Sequence, residues 1–227
     1  MVKLDLKNKV VLVTGSSLGI GSETAYKFAK ESCKVIVTYY NDKNEGLAVA
    51  KKCMNLGASD ALVLQLNVME DKSIKDAVKK IIGKFKVIDI LINNAGIIVW
   101  KSFKDQTYED IENQIRTNFI GLVKMTKACL PYVKYTIINI ASGAGLEGYP
   151  DITTYCGTKF AVRGFSQALA QELKNVKVYV INPGVTATRM NDFKGLPPEK
   201  VADIILNSAK GAYELKSGSD VNIWEYV

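Results

Sequence analysis

Tyr155 and Lys159 are the two residues of this sequence whose types and spacing best suit acid–base chemistry. Side chains four residues apart share one face of a helix, and the sequence predicts a helix from 153 or 154 to about 173. A lysine ammonium about 4 Å from a phenol would favour the phenolate by roughly 4 kcal/mol at an effective dielectric near 20, before desolvation weakens the effect. The spacing predicts a tyrosine that exchanges protons near neutral pH, although a solvated helix face carrying both residues would show the same pattern.

The chain of 227 residues contains no histidine, and this excludes several classes of active site. A Ser-His-Asp triad, a Cys-His pair and a histidine-based zinc site are all ruled out. Acid–base chemistry near pH 7 then needs a carboxylate, a lysine, a cysteine or a perturbed tyrosine. The four cysteines form no C-x-x-C pair, so we expect reduced, mostly buried thiols and no metal site; they are Cys33, Cys53, Cys129 and Cys156.

Composition and charge indicate a soluble globular chain. Hydrophobic residues make up 48% of it, and no apolar run approaches the roughly 18 residues of a membrane span. The net charge of +7 comes mainly from dispersed lysines, with no basic run interleaved with aromatic residues, so we expect neither nucleic acid nor a membrane as partner. The first residues lack the features of a signal peptide, and the expected location is the cytoplasm.

Strand and helix patterns alternate along the whole chain. The predicted strands are apolar throughout and cover 10–14, 33–38, 61–66, 87–92, 135–141, 176–181 and 221–224. The predicted helices cover the stretch after the first loop, then 44–56, 74–85, 107–130, 153–173 and 198–213. This alternation predicts a single doubly wound (Rossmann-type) α/β domain over 1–227, with helices on both faces of a parallel sheet of about seven strands in the order 3-2-1-4-5-6-7.

The unusual stretches of the sequence all follow predicted strands, at the sheet edge where ligands of such folds bind. They are 15–21, 93–96, Ser142 and 183–184. The glycines of the first stretch, spaced G-x-x-x-G-x-G, allow a tight turn and let backbone N–H groups approach a pyrophosphate at a helix N-terminus. The spacing differs from the G-x-G-x-x-G dinucleotide fingerprint, so the clustering, more than the loop alone, indicates a site.

Together these motifs resemble the short-chain dehydrogenase/reductase family, and in particular its compact group similar to 3-oxoacyl-carrier-protein reductases and small carbonyl reductases. The resemblance covers essentially the whole chain and rests on T-G-x-x-x-G-I-G from Thr14, N-N-A-G from Asn93, Asn118, Ser142, Y-x-x-x-K from Tyr155, and P-G from Pro183. It implies an NAD(P)(H)-dependent oxidoreductase that interconverts a ketone or aldehyde with an alcohol.

The resemblance implies four catalytic residues. Tyr155 would be the general acid in reduction and the base in oxidation, while Lys159 would bond the nicotinamide ribose and lower the pKa of that tyrosine. Ser142 would bond the substrate oxygen, and Asn118 would hold a water that relays protons to Lys159. Packing in its helix is the alternative for Asn118, and a turn or N-cap role is the alternative for Ser142. Hydride transfer develops negative charge on the oxygen, so two donors aimed at that atom suit the chemistry.

The resemblance also implies the cofactor contacts. Besides Tyr155 and Lys159, these are Gly15, Ser17, Gly19, Ile20, Gly21, Tyr40, Asn67, Asn93, Ala95, Gly96, Pro183, Gly184, Thr186 and Thr188. Thr188 has a turn role as its alternative. Trp100 would either line the pocket or cover the core, and Cys156 is expected to pack.

The end of the second strand departs from the family pattern. NAD-preferring relatives carry an acid there, where this chain has Tyr39, and the missing acid favours NADP(H) over NAD(H). The basic residues of NADP-preferring relatives are missing too, since Leu18 and Tyr40 occupy those positions, although Lys43 could reach the site. Asn67 replaces an aspartate found in many relatives, which weakens its contact.

The segment 185–215 is the expected substrate side, and its short irregular part leaves the substrate open. The last residues, 220–227, resemble those of shorter reductases of small carbonyl compounds, so the involvement of an acyl carrier protein is open as well. The resemblance also implies a homotetramer or homodimer, in which the helices 107–130 and 153–173 would pair across a two-fold axis. The alternative function is a catalytically silent NAD(P)-binding sensor or scaffold; an epimerase or dehydratase would need a longer chain.

Overall fold

The computed structural model describes residues 3–227, which form a three-layer α/β fold. The strands are β1 (Val10–Val13), β2 (Lys34–Tyr39), β3 (Asp60–Gln65), β4 (Ile88–Asn93), β5 (Val133–Ile140), β6 (Lys177–Asn182) and β7 (Asp220–Asn222). The α-helices are α1 (Gly19–Lys30), α2 (Lys43–Asn55), α3 (Asp71–Phe85), α4 (Tyr108–Ile115), α5 (Leu122–Cys129), α6 (Thr153–Glu172) and α7 (Pro198–Lys210).

The seven strands form one sheet in the order β3-β2-β1-β4-β5-β6-β7, and every pairing is parallel. This confirms the predicted fold class and strand order. The pleat sends Val11 and Val13 to one face, where they pack with α1, α2 and α7. Val10 and Leu12 point to the other face, which α3, α5 and α6 cover. Strands apolar on both faces are therefore buried between two helical layers. No helix of the described residues is long and apolar enough to cross a membrane.

Buried polar side chains tie the central strands together near the edge that carries the unusual stretches. Asn93 at the end of β4 donates to Thr126 Oγ1 at 2.9 Å and to Asn139 Oδ1 at 2.8 Å, and Asn139 donates to Ser166 Oγ at 2.8 Å. At the opposite edge, Asp89 Oδ2 accepts from the backbone N–H of Val10 at 2.7 Å. Buried polar groups that are paired in this way hold their strands in one arrangement.

The prediction of one continuous α-helix over 107–130 was wrong for residues 116–121. A π-helical turn, Arg116–Gly121, separates α4 from α5, and a 3-10 turn, Leu130–Tyr132, follows α5. The apolar periodicity of the stretch is helical, but its residues from Thr117 to Gly121 are weak helix formers, and tertiary contacts hold them in the π turn. Asn118 in the turn bonds the loop after β4, and Gly121 packs directly against Val68. The last strand is also shorter than predicted, because Trp224 belongs to a 3-10 turn after β7.

Replacement of Gly121 by alanine tests the close packing of the π turn. An added Cβ would lie 2.8 Å from Cγ2 and 2.9 Å from the carbonyl oxygen of Val68, so the backbone must shift. We expect the free energy of unfolding, measured by urea denaturation, to fall by about 1–3 kcal/mol. Gly164→Ala in α6 is the control, because its Cβ would meet no atom within 4 Å, and it should stabilise by up to about 1 kcal/mol. Equal stability of the two variants would contradict this account of the turn.

Candidate active site

A cleft of about 1420 Å³ opens at the carboxyl ends of the strands. It is larger than the roughly 300–1,000 Å³ of a typical small-molecule pocket, so it has room for two ligands side by side. Its floor comes from the loops after β1, β2, β4, β5 and β6, and the segment after β6 forms one wall. All the stretches that sequence analysis singled out meet here.

The loop after β1 requires glycine for steric reasons. Gly15 and Gly19 have φ of +61° and +60°, which is left-handed backbone that side chains disfavour. A Cβ on Gly15 would lie 2.9 Å from Ala95 Cα, and one on Gly21 would lie 2.3 Å from the carbonyl oxygen of Gly15. The loop therefore folds tightly over the start of α1 and leaves its backbone exposed to the cleft.

The N-terminus of α1 faces the cleft and has the properties of an anion site. Leu18 precedes the helix, no side chain caps its first N–H groups, and its first turn contains no acidic residue. Leu18, Gly19 and Ile20 line the cleft at this point. Free N–H groups and the helix dipole together attract anions such as a pyrophosphate. The glycine cradle and this helix end fit the diphosphate of a dinucleotide.

Three side chains with acid–base or hydrogen-bonding chemistry meet on the opposite side of the cleft. Tyr155 and Lys159 lie on one face of α6, and the Lys159 ammonium is 5.4 Å from the centroid of the Tyr155 ring. Ser142 follows β5 in an extended conformation, lies close enough to the Tyr155 phenol to affect its pKa, and accepts from the N–H of Ala144 at 3.1 Å. The turn role predicted as an alternative for Ser142 is thus present beside its contact with the phenol.

A family model described as short chain dehydrogenase matches residues 9–197, which is most of the chain. The chain belongs to this family. It is 34% identical to the 3-ketodihydrosphingosine reductase of Bacteroides thetaiotaomicron over 216 residues, which cover 90% of this chain and 76% of the relative. It is 31% identical to the 3-oxoacyl-(acyl-carrier-protein) reductase of Thermotoga maritima over 240 aligned positions. These cover 96% of this chain and 97% of the relative.

A solved structure of a short-chain dehydrogenase from Burkholderia cenocepacia, in complex with NADP, superposes on this chain with a TM-score of 0.90. The two are 25% identical, and the match covers 96% of this chain and 97% of the other. These findings confirm the resemblance inferred from the motifs. The protein is an oxidoreductase of the short-chain dehydrogenase family.

Most of the predicted cofactor contacts of this short-chain dehydrogenase line the cleft. They are Gly15, Ser17, Gly19, Ile20, Tyr40, Asn67, Ala95, Gly96, Pro183, Gly184, Thr186 and Thr188, together with Tyr155 and Lys159. Gly21 and Asn93 do not: Gly21 packs behind the loop, and the amide of Asn93 lies in the buried network of β4 and β5. The side chain of Asn93 therefore steadies the sheet without facing the cleft.

Asn118 is buried in the π turn, with only 1% of its surface exposed, and its side chain does not line the cleft. Its Oδ1 accepts from the N–H of Ile97 at 2.8 Å, and its amide donates to the carbonyl of Ile97 at 2.8 Å and to Thr158 Oγ1 at 3.2 Å. The side chain thus joins the loop after β4 to α6. These contacts match the packing alternative considered from sequence, and the water-relay role of Asn118 stays a prediction.

Burial controls the titration of Tyr155 and Lys159. It raises the pKa of Tyr155 to about 12, against a smaller opposite effect of the neighbouring Ser142 hydroxyl. It lowers the pKa of Lys159 to about 8, and Lys159 is only 4% exposed. The expected lowering of the Tyr155 pKa by Lys159 is not found in the chain itself: burial sets the direction of both shifts, and Lys159 is not among the groups that shift the pKa of Tyr155.

Sequence reasoning assigned no role to Asn94 and left the role of Trp100 open. Asn94 donates to the carbonyls of Thr14 and Gly15 at 2.9 and 3.0 Å, and so holds the glycine loop; its place in the N-N-A-G motif was the available signal. Trp100, left open between two roles, lines the cleft and donates from its indole to the carbonyl of Met190 at 3.0 Å. Trp100 therefore anchors the segment after β6 to the opposite wall.

Replacing Lys159 with methionine measures the cost of burying the ammonium. Because its pKa is lowered, the folded chain binds fewer protons than the unfolded chain between about pH 8 and 10.5, and this group makes the free energy of unfolding rise with pH in that window. The cost is fully present below the window and is relieved above it. Lys159→Met should therefore gain stability over wild type at pH 7, and that gain should shrink by about 2 kcal/mol by pH 9.5.

Urea denaturation at both pH values, without nucleotide, measures this difference. The hydrogen bond from Lys159 to the carbonyl of Ile140, 2.9 Å long, is lost in the variant at both pH values, so the change of the stability gap with pH reports the protonation of Lys159. Lys79→Met, at an exposed position of α3, controls for the loss of one positive charge. A gap between Lys159→Met and wild type that stays constant with pH would contradict a lowered lysine pKa.

Proposed function

We propose that this oxidoreductase transfers a hydride between a nicotinamide cofactor and a carbonyl compound, with Tyr155 as the proton donor in reduction. The observation that carries this proposal is the position of Tyr155: it lies beside Ser142 in the same cleft as the glycine cradle of α1. Two oxygen donors at one point suit the negative charge that develops on a carbonyl oxygen.

The cleft residues fit a dinucleotide, and we propose NADP(H) over NAD(H). Gly15, Gly19 and the first N–H groups of α1 would hold its diphosphate, and the nicotinamide would supply the hydride. The similarity to a dehydrogenase solved with NADP supports this choice. So does the end of β2, where Tyr39 lines the cleft in place of an acid, while Asp42 is engaged in capping α2 through the N–H groups of Asn44 and Glu45.

The residues of the chain would move one proton in each turnover. Tyr155 keeps its proton at neutral pH, since burial raises its pKa, and it gives that proton to the carbonyl oxygen as the oxygen becomes negative. Ser142 holds the same oxygen in place. The ammonium of Lys159, fixed beneath the ring by the carbonyl of Ile140, stabilises the phenolate that remains. The reverse order of these steps applies to alcohol oxidation.

Apolar side chains dominate the part of the cleft that would hold the rest of the substrate. Ile98, Trp100, Ile152, Met190 and Trp224 line it around Ser142 and Tyr155. We therefore propose that the substrate is a ketone or aldehyde that carries an apolar group. That group would lie against the segment 185–215 and the loops that face it. The similar reductases named for 3-ketodihydrosphingosine and for 3-oxoacyl chains also act on keto compounds by name.

Substitution of Tyr155 by phenylalanine tests the proposed chemistry. A panel of alkyl and aryl ketones with NADPH and NADH would first identify a substrate. On that substrate Tyr155→Phe should lower kcat by about 10²–10⁴, because the proton donor is lost, while the dissociation constant of the cofactor stays within about threefold. Tyr132→Phe, on a surface turn away from the cleft, is the matched control and should retain full activity.

Two results would overturn parts of this proposal. Full turnover by Tyr155→Phe would remove the tyrosine from the mechanism. Cofactor binding without turnover of any ketone in the panel would favour the sensor or scaffold instead.

We also propose that the chain forms a homodimer or homotetramer through α4, α6 and the π turn. Large apolar side chains on these elements are exposed: Tyr108, Ile115, Ile120 and Phe160, with Tyr108 92% exposed. Such a surface buries well against a second copy. Light scattering at micromolar concentration should give the mass of two or four chains, and the mass of one chain would contradict the proposal.

A further inference from the structure

An ion pair crosses the cleft between two distant parts of the chain. Arg189, the first residue of the 3-10 turn Arg189–Asn191, donates from Nη2 to Oε1 of Glu45 at 3.0 Å. Glu45 lies in the first turn of α2, just after the end of β2. The two residues are 144 positions apart, and both line the cleft. The pair therefore connects the segment after β6 to the wall formed by β2 and α2.

The place of this pair along the cleft follows from its neighbours. Thr188, directly before Arg189, lies against the glycine loop: a Cβ on Gly19 would be 3.3 Å from Thr188 Cγ2. From this point beside the glycine loop, Arg189 extends to Glu45 at the start of α2, and Tyr40 and Asp42 line the cleft between β2 and α2. In a doubly wound fold this is the side on which the adenosine ribose of a dinucleotide lies.

Arg189 is the cation available on that side. Of the described residues that line the cleft, only Lys159 and Arg189 carry a positive charge, and Lys159 is buried beneath Tyr155 at the other end. Leu18 and Tyr40 occupy the positions where NADP-preferring relatives were expected to carry a basic residue, and Lys43 does not line the cleft. The neighbouring Asp42 is held by the N–H groups that it caps.

We propose that Arg189 is the residue that selects NADP(H), by exchanging Glu45 for the 2′-phosphate of the adenosine ribose. This inference rests on the proposed function, in which a dinucleotide binds the cleft. The guanidinium offers a planar pair of donors that matches a phosphate, and a phosphate carries more charge than a carboxylate. An exposed ion pair contributes little, so its loss is easily offset; the Arg189 side chain is 66% exposed and that of Glu45 28%.

Glu45 has a defined part in this exchange. With NAD(H), which lacks the phosphate, Arg189 keeps its bond to Glu45, and no charge is left unmatched. With NADP(H), the carboxylate of Glu45 loses its partner and is hydrated, because it is partly exposed. Removing this carboxylate should free Arg189 for the phosphate and also remove a repelling charge.

Calorimetric titration with NADP⁺ and NAD⁺ tests the exchange without any substrate. Arg189→Gln should weaken NADP⁺ binding about tenfold or more and leave NAD⁺ within about twofold, whereas Glu45→Gln should strengthen NADP⁺ binding. Arg189→Lys should restore part of the loss. Arg116→Gln is the matched control, since Arg116 forms a comparable exposed pair with Glu112 outside the cleft. The fragments 2′,5′-ADP and 5′-ADP should show the same contrast.

The outcomes separate this inference from the proposed function. If wild type binds both dinucleotides and Arg189→Gln changes neither affinity, or weakens both equally, Arg189 does not recognise the 2′-phosphate. If wild type binds NAD⁺ and not NADP⁺, the inference fails while the proposed hydride transfer stands. If wild type binds neither dinucleotide, both fail.

Discussion

The buried ammonium of Lys159 is the group on which the geometry of this site depends. A charge in the protein interior is costly unless its surroundings satisfy it, so its position tolerates little variation. The ammonium of Lys159 donates a hydrogen bond to the carbonyl oxygen of Ile140, 2.9 Å from Nζ, and this bond joins α6 to the end of β5. On the other side, a Cβ at Gly145 would lie 2.8 Å from the Lys159 carbonyl oxygen, so helix and loop are in direct contact. Tyr155 and Ser142 are each only a few residues from these contacts.

A second set of buried polar contacts holds the strand ends that carry the site. Arg163, one turn after Lys159, donates to the carbonyl of Gly145 at 2.7 Å and pairs with Asp220 of β7 at 2.8 Å. On the cofactor side, Asn94 holds the glycine loop against β4. Polar contacts of this kind, made by partly buried side chains, favour one arrangement of the backbone over near alternatives. Catalytic donors that stand on strand and helix ends are therefore aligned by the core itself.

The sequence predicted the fold and the residues of the site because both depend on local patterns. Uninterrupted apolar strands identified the parallel sheet, and the parallel sheet placed Gly15, Ser142 and Tyr155 at one edge. The π turn was not predictable, since the apolar pattern of the stretch is helical and the contacts of Asn118 with Ile97 and of Gly121 with Val68 lie far away in sequence. The ion pair across the cleft joins two segments without periodic pattern. The titration of Tyr155 was misjudged because a spacing shows a neighbouring charge and does not show burial.

The absence of histidine, noted first as an exclusion, also shapes how the molecule exchanges protons with its surroundings. No histidine side chain takes up or releases protons between about pH 5 and 8, where that residue normally buffers proteins. The pKa of Lys159, lowered to about 8, places its proton closest to this range among the perturbed groups of the described residues. Proton uptake recorded in weakly buffered solution near pH 8 should therefore contain a clear contribution from this one lysine of the cleft. Without histidine the rest of the protein has little buffering capacity between about pH 5 and 8, so a proton exchanged by Lys159 in the cleft is easier to detect.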